Sequence, residues 1–119
     1  MARRRMIGMT VFESDAFLDL DISAKALYPF IILNADDNGL LNNTKALLRT
    51  FNVQDSGLVQ LLEAGFIIDL GNGIYAVTHW EQQNHVPGSK FTPTMFPNEF
   101  ARLELTNDKR YRLKEPAAP

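Results

Sequence analysis

The side chains that could do chemistry in this chain are few, and none of them forms a recognised catalytic set. The sequence contains no cysteine, which excludes thiol catalysis and Cys-based zinc sites. His79 and His85 lie six residues apart with only Glu81 as a nearby acid, and this is not a metal-ligand pattern. Asp36 and Asp37 begin an Asp-Asp-Asn-Gly turn, where carboxylates commonly accept local backbone hydrogen bonds. We therefore expect a protein that is not an enzyme and that uses no cofactor or metal.

The remaining candidates are basic and amide side chains suited to nucleic acid. Lys and Arg neutralise phosphates and supply most of the affinity, while amide side chains hydrogen-bond to bases. The candidate nucleic-acid-binding residues are Arg3, Arg4, Arg5, Lys45, Arg49, Gln60 and Asn72. A second basic cluster contains Lys109, Arg110, Arg112 and Lys114. For each group of cations the alternative is an ordinary solvated surface or tail, and the sequence leaves both interpretations open.

The charge is unevenly distributed along the 119 residues, although the net charge is only −2. Residues 1–11 carry three arginines and no acid, residues 12–81 carry ten acids and three bases, and residues 82–119 carry six bases and four acids. Because an acidic segment repels phosphates, DNA binding by this chain would depend on a few local cations and on the basic ends.

Hydrophobic spacing and turn residues predict the elements that position these side chains. The expected helices span residues 14–20, 24–35, 45–51 and 55–64, with Ser14 and Ser23 as the first two N-caps. Two β-branched and aromatic runs, 66–70 and 74–78, flank Gly71-Asn72-Gly73 and predict a hairpin. Leu40-Leu41 is placed to add an edge strand. The predicted fold is α+β, mainly α: a winged helix-turn-helix with a short β-hairpin wing and an irregular or helical C-terminal extension.

The predicted organisation has four parts. They are a basic N-terminal arm (1–11), a winged-helix domain (12–80), a C-terminal extension that packs on the domain or on a partner (81–110), and a tail or linker (111–119). Within the extension, Pro97 is placed to start a short helix through residue 105. The extension also carries an apolar strip, which either covers the domain or forms an interface with a second subunit. The residues of this strip are Phe91, Met95, Phe96 and Phe100.

Several stretches occur in a specific order along residues 1–95. They are MARRRM at 1–6, SDAFLDL at 14–20, SAKALY at 23–28, ADDNG at 35–39, LVQLLEAGFI at 58–67, and His79-Trp80 with Asn84. Together they resemble the N-terminal domain of phage replisome organizers, the DnaD-like replication initiation proteins. One departure is Val59, because the family carries a lysine there.

The resemblance implies a winged-helix domain that helps load a replicative helicase at a phage origin, by binding origin DNA, by self-association, or by both. The expected partners are double-stranded DNA, a helicase or its loader, and a second copy of the chain. The alternative is a protein-interaction module that does not contact DNA directly. No apolar run approaches the roughly 18 to 20 residues that cross a bilayer, so we expect a cytoplasmic protein without membrane contact, in a bacterial host cell if phage-encoded.

Overall fold

Apolar residues at helical and alternating spacing fold the chain into short helices packed on a small sheet. The computed structural model describes residues 4–50, 52 and 54–114. Its helices are α1 (Met9–Phe12), α2 (Asp15–Leu18), α3 (Ile22–Asn34), α4 (Thr44–Thr50), α5 (Asp55–Glu63), α6 (Trp80–Gln83) and α7 (Pro97–Phe100). Its strands are β1 (Leu40–Leu41), β2 (Ile67–Gly71), β3 (Ile74–Val77), β4 (Leu103–Leu105) and β5 (Tyr111–Leu113). The α+β class is therefore confirmed.

The longest helix, α3, forms the centre of the core. Its buried residues follow the three-and-four spacing of one helix face, and they are Ala24, Leu27, Tyr28, Ile31 and Ile32. The predicted cap at Ser23 is wrong, because the helix begins at Ile22 and Asp21 is the N-cap residue. The cap at Ser14 is confirmed, since its side chain accepts a hydrogen bond from the Phe17 N–H at 3.3 Å.

The α4 and α5 helices pack beside α3. The closest approach is at Gly57, where an added Cβ would lie 2.9 Å from the Ser23 carbonyl group. A glycine is needed here because the two helix backbones leave no space for a side chain. On the same side of α5, Leu61 is fully buried, and Leu58 and Leu62 are partly buried against the core, which confirms the predicted helix face.

The main sheet has three antiparallel strands in the order β1-β3-β2. Leu40 pairs with Ala76 and Leu41 with Tyr75, so the predicted edge strand is confirmed. The predicted hairpin is confirmed as β2 and β3, with Asn72 at its turn in a left-handed conformation, φ 56°. The sheet and the helix pair α4–α5 are therefore joined directly through β1 and β2.

The C-terminal part of the chain differs from expectation. The helix that begins at Pro97 ends at Phe100, and residues 103–113 form a second antiparallel hairpin, β4–β5. Residues 111–113 are a strand of that hairpin rather than a tail, because Tyr111 is buried in the core and its N–H donates to the Thr78 carbonyl at 2.8 Å. None of the helices in the described part of the chain has the length and apolar character of a membrane span.

Candidate nucleic-acid interface

Two of the sequence-predicted cations, Lys45 and Arg49, lie together on the exposed side of α4. They are one helical turn apart, and both side chains are exposed. They line a cleft of about 620 Å³ between α4 and α5, whose apolar lining residues are Leu48, Leu58 and Val59 and whose other polar residues are Asn52 and Asp55. Neither cation forms an ion pair with another residue in the described ranges. Both are therefore available to an anionic ligand.

The outer side of α5 has the opposite character. Its exposed residues are Asp55, Ser56, Val59 and Glu63, and no residue of this helix is Lys or Arg. Two exposed carboxylates would repel a phosphate backbone. The helix pair therefore presents cations on its first helix and acids on its second.

Gln60 is not free to read a base. Its amide nitrogen donates to Asp21 Oδ2 at 2.7 Å, and its amide oxygen accepts from the Asp21 backbone N–H at 2.9 Å. Both ends of the side chain therefore tie α5 to the start of α3. Asn72, by contrast, is exposed at the β2–β3 turn and keeps an accessible amide.

The three N-terminal arginines differ in position. Arg3 lies outside the described residues, and Arg4 is exposed. The prediction of a free arm is wrong at Arg5, whose side chain is only 3% exposed. Its Nη2 donates to Asp37 Oδ1 at 2.8 Å and to the Ala35 carbonyl at 2.9 Å. The guanidinium also lies 5.0 Å from the centre of the Trp80 ring, so the Arg5 side chain is buried against the core residue Trp80.

The segment after Arg5 is bound to α6. The Met6 N–H donates to Asn84 Oδ1 at 2.7 Å, and the Asn84 amide donates back to the Met6 carbonyl at 3.0 Å. The Gly8 N–H donates to Gln83 Oε1 at 2.7 Å. These bonds hold residues 6–8 against Gln83 at the end of α6 and against Asn84, which follows it, and they give these two buried amide side chains hydrogen-bond partners. Spacing alone did not indicate them.

The Asp36-Asp37-Asn38 turn forms hydrogen bonds with several segments that are distant from it in the sequence. Besides Arg5, Asp37 Oδ2 accepts from the Thr92 N–H at 2.9 Å, and the Trp80 indole N–H donates to the Asp37 carbonyl at 2.9 Å. Thr94 donates from its N–H to Asn38 Oδ1 and from its hydroxyl to Asp36 Oδ2. The Tyr111 hydroxyl donates to the Asn38 carbonyl. Burial acts to raise the pKa of Asp37, but the Thr92 N–H and the Arg5 guanidinium outweigh it, so the pKa lies below the ordinary value.

The second hairpin brings the C-terminal cations together. Residues 102–114 carry five basic and two acidic side chains, and Lys109, Arg110, Arg112 and Lys114 are all exposed. Two ion pairs lie within the hairpin, Arg110 with Asp108 at 2.8 Å and Arg112 with Glu104 at 2.9 Å. The basic residues are evident in the sequence, but the hairpin that holds them depends on contacts with residues far along the chain, such as Tyr111 with Thr78.

The apolar strip divides between the two alternatives considered for it. Phe96 and Phe100 pack against the core, and the Phe100 ring meets Tyr111 edge-on at a centroid distance of 6.0 Å. These two residues cover the domain. Phe91 is half-buried, and Met95 is 82% exposed, so only Met95 remains strongly accessible to a partner.

The candidates for metal binding or catalysis are not brought together. In the described ranges no group of three His, Cys, Asp or Glu side chains could hold a metal ion. His79 lies beside the Phe66 ring, 5.6 Å between centroids, and His85 is exposed. Burial lowers the pKa of His79, and the nearby Arg110 lowers it further, with Asp108 opposing. A neutral, packed imidazole fits this environment.

Comparisons of the chain with protein-family models, with curated proteins and with solved structures gave no match.

Proposed function

We propose that this chain is a winged-helix module that binds duplex DNA through its phosphates rather than by reading bases. The element order α3, β1, α4, α5, β2, β3 and the strand order β1-β3-β2 support this proposal, because a winged helix-turn-helix has the same order of elements. In helix-turn-helix proteins the second helix of the pair enters the major groove, and the first crosses the backbone. In this proposal, α4 and α5 correspond to those two helices.

The distribution of charge on this helix pair decides the mode of binding. Lys45 and Arg49 lie on α4, the helix placed to cross the backbone, and they make no ion pair among the described residues. The base-reading position is held by α5, whose exposed Asp55 and Glu63 disfavour close approach. We therefore expect weak, sequence-independent affinity, on the order of 10⁻⁴–10⁻⁶ M at physiological salt. The exposed cation pair on α4 is the observation that carries this proposal.

The biological setting comes from the resemblance of residues 1–95 to replisome organizers. It supports a role in replication initiation in the cytoplasm, with a helicase or its loader as the expected protein partner. The buried Arg5 removes one of the three arginines from the proposed contact, so DNA binding depends less on the N-terminus than the sequence suggests.

The test is a fluorescence-anisotropy titration of a labelled duplex with wild type and with Lys45→Gln/Arg49→Gln. The matched control is Lys25→Gln/Lys90→Gln, which changes the net charge equally but leaves α4 intact. Removing two phosphate contacts should make the negative slope of log K against log salt shallower by about 1.8, since each contact contributes about 0.9. Equal affinity of the α4 variant and the control would contradict the proposal.

A second candidate function is self-association, which the apolar surface of α3 favours. Ile22 is 78% exposed and Leu33 is 58% exposed. Eleven residues are roughly three helical turns, so these two side chains lie on the same side of α3. Sedimentation equilibrium at several concentrations, with Ile22→Ser/Leu33→Ser as the variant, tests it. A strict monomer at every concentration would contradict self-association.

A further inference from the structure

The β4–β5 hairpin has a well-defined basic turn. The Thr106 N–H donates to the Arg110 carbonyl at 2.8 Å, and the Lys109 N–H donates to the Thr106 carbonyl at 3.0 Å. The Arg110 N–H also donates to the Thr106 hydroxyl at 3.1 Å. Lys109 takes the left-handed conformation with φ 63°. These bonds fix the direction of the backbone that carries Lys109 and Arg110.

The β4–β5 hairpin is hydrogen-bonded to the region of the β2–β3 wing at two points, Tyr111 in β5 and Arg102 just before β4. The Tyr111 N–H bonds to the Thr78 carbonyl just after β3, and Arg102 Nη1 donates to the Leu70 carbonyl in β2 at 2.7 Å. The Tyr111 hydroxyl donates to the Asn38 carbonyl at 2.8 Å. The turn of the hairpin therefore lies near Thr78, at the end of β3 away from Gly71-Asn72-Gly73, and the opposite end of the hairpin, at Arg102, lies beside β2.

The cations of this hairpin are available to a ligand. Lys109 and Lys114 are exposed and form no ion pair in the described ranges. Arg110 and Arg112 are paired in exposed contacts, and about half or more of each arginine side chain is accessible. Because exposed ion pairs contribute little, these arginines can exchange their carboxylate partners for phosphates.

We propose that the β4–β5 hairpin is a second phosphate-binding element, which contacts the backbone of the duplex beside the wing. The inference rests on the proposed DNA binding and adds a contact that neither the helix pair nor the wing supplies. The wing turn itself has no cation, since it consists of Gly71, Asn72 and Gly73. At the end of the hairpin nearest this turn, the Lys114 N–H donates to the Arg102 carbonyl at 2.8 Å, so Arg102 and Lys114 supply positive charge beside β2.

The test compares Lys109→Asn/Lys114→Gln with wild type and with the charge-matched control Lys25→Gln/Lys90→Gln. Asn is chosen at position 109 because it tolerates the left-handed conformation. We expect the negative slope of log K against log salt to become shallower by about 1.8, from two lost phosphate contacts, and the control to bind more tightly than this variant. Trp80 fluorescence checks that each variant is folded. Lys114→Gln alone, with an expected slope change of about 0.9, is the second variant if the turn is disturbed.

The outcomes separate this inference from the proposed function. If the hairpin variant binds like the control while Lys45→Gln/Arg49→Gln loses affinity, the hairpin proposal is overturned and the α4 proposal stands. If wild type binds no duplex at low salt, both are overturned. Loss of affinity in the hairpin variant alone supports the hairpin and overturns the assignment of the main contact to α4.

Discussion

The buried ion pair between Arg5 and Asp37 leads to the sharpest prediction about stability. Its two side chains are 3% and 0% exposed, and they lie 32 positions apart in the chain. Arg5→Met removes the cation and keeps a long apolar side chain, whereas Asp37→Asn removes the charge and keeps the shape. Either change leaves one buried charge without its partner.

The expected cost is large for a domain of this size. Removing one partner of a buried ion pair costs about 3–5 kcal/mol. We expect a value near the lower end, about 3 kcal/mol, because the Thr92 N–H still binds Asp37 in one variant and the Ala35 carbonyl still binds Arg5 in the other. Since small domains have a total stability of only about 5–15 kcal/mol, each variant should lose a large share of it.

Urea denaturation followed by Trp80 fluorescence measures this effect. Trp80 is the single tryptophan, it is buried, and its indole N–H binds the Asp37 carbonyl, so its emission reports on this part of the core. In a double-mutant cycle, the free-energy cost of Arg5→Met/Asp37→Asn should be smaller than the sum of the two single costs by about 1–3 kcal/mol. If a single variant is unfolded in buffer, an osmolyte such as sucrose restores a measurable transition.

The pH dependence gives an independent check of the same pair. Because the pKa of Asp37 is lowered in the folded state, its contribution is complete above the ordinary Asp pKa of about 3.9 and is lost as the pH falls through the folded value. Wild type should therefore lose more stability than Asp37→Asn on going to acid pH. A cost below about 0.5 kcal/mol for Arg5→Met, the range of an ordinary surface change, would refute the reasoning.

Two other predictions concern packing and protonation. Gly57→Ala should destabilise the fold by about 1–3 kcal/mol, the usual cost of overpacking, because its Cβ would lie 2.9 Å from the Ser23 carbonyl; an unchanged urea midpoint would contradict the close approach of α3 and α5. Burial lowers the pKa of His79, so wild type should lose stability as the pH falls through the ordinary His value of about 6.5 towards the folded one. His79→Gln should lose less, and identical pH profiles would argue against a buried neutral imidazole.

The local elements were predictable from the sequence because short-range spacing determines them. The Gly71-Asn72-Gly73 turn between two apolar runs indicated the β2–β3 hairpin, and apolar residues three and four apart indicated α5. Ser14 was recognisable as a cap because its hydroxyl has a backbone N–H within three residues to bind. In each case the stabilising contacts lie within one element or between adjacent elements.

The contacts between distant segments were not predictable in this way. Arg5 looked like part of a free basic arm because its partner, Asp37, belongs to a turn far along the chain. Residues 111–113 looked like a tail, yet Tyr111 pairs with Thr78 across 33 positions. Gln60 looked like a base-reading amide, but both ends of its side chain are hydrogen-bonded to Asp21. Charge and polarity indicate what a side chain can bind, and only the fold decides which partner it meets.

Our central proposal is that the protein binds duplex DNA through phosphate contacts made by the cations of α4 and of the β4–β5 hairpin. The most direct measurement is the affinity of wild type for a mixed-sequence duplex between about 50 and 200 mM salt. The two cations on α4 and the unpaired Lys109 and Lys114 predict a linear fall of log K with log salt, with a slope of about −3.6, since each contact contributes about 0.9. Contacts from Arg110 and Arg112 would make the slope steeper. Absence of binding at the lowest salt, or an affinity that does not change with salt, would contradict it.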